Sequence, residues 1–121
     1  MTGVQTCALP IWILFLGDYD LTAFGPWYGD APCGIDTFRK SALRLAAIAA
    51  DRYVVSHEEP VHRGPVTERM NAYLAVIDRR EEALRDYLRE PRTRAEIIAR
   101  RLIYGPGRDG PWFDYGEWAL L

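Results

Sequence analysis

WILFLGDYDLTAFGPWYG, residues 12–29, contains the one stretch from which the architecture can be built outward. Four apolar residues, Ile13 to Leu16, run into Gly17-Asp18, and a second acid follows at Asp20. A short continuous apolar run closed by a turn signal reads as a strand buried on both faces. Its carboxy end delivers Asp18 to the rim of a sheet, the place where ligands sit in open α/β sheets. Many Asp residues only begin turns, so Asp18 acquires weight from what lies further along the chain.

A loop rich in Gly, Pro and aromatics spans Leu21 to Ile35, and Asp36 reads as the N-cap of a helix over Thr37 to Ala50. Phe38, Ala42, Leu45 and Ala49 recur on one face of that helix, with Arg39, Lys40 and Arg44 on the other. Asp51-Arg52 turn the chain into a second short strand, Tyr53 to Ser56. Strand, helix and strand at this spacing predict a crossover unit in a largely parallel sheet. In such a pair both carboxy ends lie on one edge, which brings His57 beside Asp18. Histidine is the commonest metal ligand, so the coincidence points to a metal site. The plainer alternative is a loop histidine bonded to nearby backbone.

Pro65 opens a long helix, Val66 to Arg89, striped by Val66, Met70, Tyr73, Leu74, Ile77, Leu84 and Leu88. Asp78 to Glu82, DRREE, interrupts the stripe and reads as a solvated segment. Pro91 stops the helix, and Thr93 with Glu96 forms a capping box for the next one, Arg94 to Leu102. A turn-rich loop, Gly105 to Pro111, leads to an aromatic tail of Trp112, Phe113, Tyr115 and Trp118.

The 121 residues suffice for one domain or part of one, with the apolar (49%) and charged (26%) shares of a globular chain. Net charge is -2 and Lys40 is the only lysine, which gives no footprint for nucleic acid. A helix-turn-helix built from the last two helices, despite Arg94, Arg100 and Arg101, would sit in an acidic chain. No apolar run approaches the roughly 18 residues of a membrane span. Cys7 and Cys33 lack any CxxC spacing and fit a reduced, cytoplasmic chain. GPGRDG has no preceding strand and no following Lys, so it is no phosphate loop. Met1 to Ile11, MTGVQTCALPI, reads as translated sequencing adapter, because a signal peptide would need a positive n-region and a small-residue cleavage site. The expected organisation is therefore a non-native segment at 1–11, an α/β part at 12–65 and a helical extension at 66–121, cut short after GEWALL.

Taken together, the strand closing in Gly17-Asp18, the helix with Ser41 and Leu45 before YVVSH, and EEPVHRGP after it resemble the carboxy-terminal half of the metallo-β-lactamase-fold hydrolases. IDRREEALRDYL and PRTRAEIIARRLIYG are similar to the helical extension of some broad-hydrolase members, and DLTAFGPWYG is the most specific piece. The resemblance implies half of an αββα sandwich followed by helices. It implies that Asp18 is the carboxylate bridging two zinc ions, with Asp20 as second choice, and that His57 is the last histidine ligand. His62 has no ligand counterpart and is expected to line the loop or be exposed. Glu58 or Glu59 would hold the second ring nitrogen of His57 or simply face solvent. Phe24, Trp27 and Tyr28 would form a substrate wall or a small satellite core.

The family's HxHxDH motif is absent from this sequence, so most of a ligand set of three or four per zinc is missing. What the resemblance implies for the intact protein is a di-zinc hydrolase, iron or manganese remaining open, acting on a small-molecule ester, thioester, amide or phosphodiester through metal-generated hydroxide. The chain alone is expected to be inactive and to leave one sheet face uncovered. A homo-oligomer is left open. The rival reading is a non-catalytic interaction module in which the helices from Val66 to Leu102 bind a partner.

Overall fold

The computed structural model describes residues 11–29 and 34–121. It is mixed α/β. The order is β1 (Ile11–Gly17), α1 (Ile35–Ala46), β2 (Ala50–Val55), β3 (Val61–Arg63), α2 (Thr67–Tyr87), α3 (Arg94–Arg100) and α4 (Pro111–Leu120). Cys7, the adapter-like residues before Ile11 and Cys33 lie outside the described residues. β1 begins at Ile11, the last residue of the segment read as non-native.

β1 and β2 pair in parallel, as the crossover predicts, with Leu14 beside Tyr53 and Phe15 beside Val54. β3 then returns antiparallel on the far side of β2, giving the order β1-β2-β3. This third strand is absent from the sequence reading. Three residues between Pro60 and Gly64 are too few to show an alternation, and the pairing is secured by Val55 N–H donating to Pro60 O at 3.0 Å.

Helix α1 is shorter than its apolar pattern suggests and is shifted toward the amino end. Gly34, not Asp36, stands at its N-cap, and Asp36 lies in the first turn, where a carboxylate favours the helix dipole. The carboxy boundary is set by Tyr53. Its buried hydroxyl donates to Ile48 O at 2.7 Å and accepts from Ala50 N at 3.1 Å, which turns the chain into β2 three residues early. Asp51 and Arg52, expected in a turn, are therefore strand residues.

Side-chain alternation gives the sheet two unlike faces. Leu14, Leu16, Tyr53, Val55 and His62 point to one side, where Leu16, Tyr53 and Val55 join Ala42 and Ala46 of α1 and Met70, Tyr73, Leu74 and Ile77 of α2 in a single core cluster. Ile13, Phe15, Arg52, Val54, Val61 and Arg63 point to the other side. There Phe15 is 73% exposed and Ile13 and Val61 are exposed as well. The expectation that the chain covers only one face holds among the described residues.

α3 carries the capping box: Thr93 Oγ1 accepts from Glu96 N–H while the Glu96 carboxylate accepts from Thr93 N–H at 2.7 Å. The aromatic tail is a helix, α4, with Pro111 in its first turn. Only its Gly116, Glu117 and Leu120 side is buried; Trp112, Tyr115 and Trp118 are exposed. Glu117, fully buried, takes hydrogen bonds from Ile103 N–H and Tyr104 N–H and so fastens the turn after α3 onto α4.

Candidate functional site

Parallel pairing of β1 with β2 brings their carboxy ends to one rim, and Ser56 N–H donates to Gly17 O at 3.0 Å across it. The register slips between Phe15 and Gly17, and Gly17 has φ +59, so the chain leaves β1 through a bulge that throws Asp18 and Asp20 outward. The two acids have different fates.

Asp20, ranked second on sequence grounds, is the acid that meets His57. Its Oδ2 lies 3.3 Å from His57 Nδ1, while Oδ1 accepts from Thr22 N–H at 3.2 Å and from Thr22 Oγ1 at 3.0 Å. The Asp20 side chain is 16% exposed and His57 is 63% exposed, so the contact is half in solvent. Asp18 is exposed, and only its backbone is tied down, by a 2.9 Å hydrogen bond from the Tyr73 hydroxyl to its carbonyl. Burial pushes the Tyr73 phenol well above its ordinary range, and the negative charge of Asp20 adds to the effect. Tyr73 is therefore a fixed proton donor to the rim.

Behind the rim, α2 holds the loop. Arg80, expected to be solvated within DRREE, is buried and donates to Pro26 O at 2.8 Å and Phe24 O at 2.7 Å. Its guanidinium also lies 4.9 Å from the Phe24 ring centroid and 5.7 Å from that of Tyr28. Gly25, at φ +84, admits Val76 so closely that a Cβ there would lie 2.5 Å from it. Tyr28 is buried with its hydroxyl donating to Leu120 O at 3.0 Å, and Trp27 stacks 6.2 Å from Trp112. Phe24 stays partly exposed beside Tyr104, 5.5 Å away. Packing of this loop against α2 and α4 is thus on view; a substrate at Phe24, Trp27 or Tyr28 is a further step.

Of the alternatives open to Glu58 and Glu59, the solvent-facing one holds, and the expectation for His62 is corrected. Glu59 does not reach His57: its exposed carboxylate stands 3.8 Å from Arg69 and 3.9 Å from His62. Glu58 is exposed in a left-handed conformation at φ 54. His62 neither lines the loop nor faces solvent. As the middle residue of β3 it turns to the covered face, 7% exposed, with Nδ1 against the Arg69 guanidinium. The alternation in Val61-His62-Arg63 carries that signal, and it can be read only once the segment is known to be a strand.

Oxygen from Asp18 or Asp20 and nitrogen from His57 are donors of the type zinc takes. Among the described residues no three His, Cys, Asp or Glu side chains gather as a metal cage. No helix among them is long and apolar enough to cross a membrane. No family model, curated protein or solved structure matches the chain.

Proposed function

We propose that this chain is the carboxy-terminal part of a metallo-β-lactamase-fold metallo-hydrolase and supplies one side of a two-metal site. The observation that carries the reading is the Asp20–His57 contact at the shared rim of two parallel strands. It also sharpens the assignment. With Nδ1 of His57 held by the Asp20 carboxylate, Nε2 is the nitrogen left for a metal, the usual arrangement of a carboxylate orienting a ligating histidine. Asp20 then takes the supporting role first considered for Glu58 or Glu59, and exposed Asp18 is the carboxylate available as a ligand.

Bound there, a pair of zinc ions would lower the pKa of a water and polarise the scissile carbonyl or phosphoryl group of a small-molecule substrate. The chain's own contribution is positional. Tyr73 fixes the Asp18 backbone, Thr22 fixes Asp20, and Asp20 selects the His57 nitrogen. The remaining ligands would come from an HxHxDH segment that this sequence does not contain. The rival interaction module rests on the helices from Val66 to Leu102; the exposed aromatic row of Trp112, Tyr115 and Trp118 lies outside them, on α4.

Cobalt(II) or zinc titration of the purified chain tests the reading. Weak binding of one ion, abolished by His57→Ala and weakened at least ~10-fold by Asp18→Asn, is expected from two ligands where three or four are normal. Retention of that binding in His57→Ala would remove the metal site. Tight stoichiometric zinc with ester hydrolysis would overturn the claim that the set is partial.

A further inference from the structure

We infer that the outer edge of β1 pairs with the same edge of a second copy of this chain, antiparallel and about a twofold axis, making one six-stranded sheet. The inference does not rest on the hydrolase reading, since none of Asp18, Asp20 and His57 takes part in it. Among the described residues β1 is the edge of the sheet, and the backbone groups directed away from β2 have no strand beside them. Natural edges are blunted by charge, proline or shortness. β1 has none of these: IWILFLG is seven residues long, uncharged and free of proline.

The sequence of β1 fits its own reverse. A twofold axis through Leu14, the middle of Ile11–Gly17, uses the whole strand and sets Leu14 against Leu14. It sets Ile13 of one copy opposite Phe15 of the other, twice, on the open face. Aromatic against β-branched is a favourable cross-strand pair. On the other face Trp12, 69% exposed, would stand opposite Leu16 of the second copy, which is already buried in its own core. None of the seven strand residues of either copy is charged.

Charge also decides how a second copy does not bind. On the open face Arg52 and Arg63 are register partners on β2 and β3, and neither forms an ion pair among the described residues. Stacking two such faces would bring four guanidinium groups together in a largely apolar contact, with one carboxylate, Asp51, beside each arginine pair. Edge pairing keeps the two arginine pairs apart, each beyond its own β1.

The experiment is analytical ultracentrifugation of the full chain across a concentration series, with circular dichroism to verify folding of each variant. A shift from 13.8 kDa to twice that mass is expected. The interface is small, so a dissociation constant on the order of 10 μM is anticipated. Phe15→Lys, an exposed position, should raise that constant at least ~10-fold by placing a charge at the edge. Val61→Lys, on the same face but on the far strand β3, should leave it unchanged. A monomer at every concentration overturns the inference. Equal loss in both variants also overturns it, because that is the signature of face stacking.

Discussion

The two faces of the sheet are made from the same three strands by the same alternation, yet they differ in almost everything else. On one, Leu16, Tyr53 and Val55 are sealed beneath α1 and α2. On the other, Phe15, Val54 and Val61 form an apolar row that no helix among the described residues covers. Apolar composition therefore does not report burial in this chain. Burial follows from which side the crossover helix and α2 lie on, and stability is concentrated there. The open side contributes surface instead.

That contrast can be broken most forcefully at a pair of positions on adjacent strands. Tyr53→Ala empties a fully packed site and releases the Ile48 and Ala50 backbone groups that end α1, so a loss of about 3–5 kcal/mol is expected in urea unfolding. Phe15→Ala, one register row away and nearly as large a truncation, should change stability by less than about 0.5 kcal/mol when measured on the monomer. Comparable losses at both would mean that the open face is covered after all.

The same contrast explains what was legible in the sequence. Long periodic patterns were: the stripe from Val66 through Ile77 is buried as read, and the parallel pair β1–β2 follows from the spacing of its strands. Rim placement of Asp18, Asp20 and His57 was legible for the same reason. What escaped was governed by contacts that local sequence does not encode. Arg80 sits in a charged run, and only the positions of the Phe24 and Pro26 carbonyls explain its burial. His62 inherits its burial from a three-residue strand, and the choice between Asp18 and Asp20 depends on a bulge at Gly17. Each is a tertiary decision imposed on a short or polar segment.

Arg80 offers the next largest effect. Arg80→Met keeps much of the apolar stem but leaves two loop carbonyls without donors, and an unpaired buried acceptor costs on the order of 1–3 kcal/mol. A total loss of about 2–4 kcal/mol is expected, with faster hydrogen exchange confined to residues 22–28 before global unfolding. Uniform exchange across the chain would show instead that the loop unfolds only with the core and needs no separate fastening.

Tyr73 gives the smallest effect and the one with a pH signature. Tyr73→Phe removes a single hydrogen bond to the Asp18 carbonyl, a loss of about 1 kcal/mol near neutral pH. The folded-state phenol titrates above the unfolded one, so the folded chain holds more protons than the unfolded chain once pH exceeds the ordinary phenol value of about 10. Stability contributed by Tyr73 is thus level below that value and falls as pH climbs from there toward the folded pKa. In Tyr73→Phe this part of the alkaline decline should vanish, so the two stability curves converge and then cross as pH rises. Curves that stay parallel through the alkaline range would mean that Tyr73 is not shielded from ionising, and the covered side of the sheet would then reach less far toward the rim than its hydrogen bonds indicate.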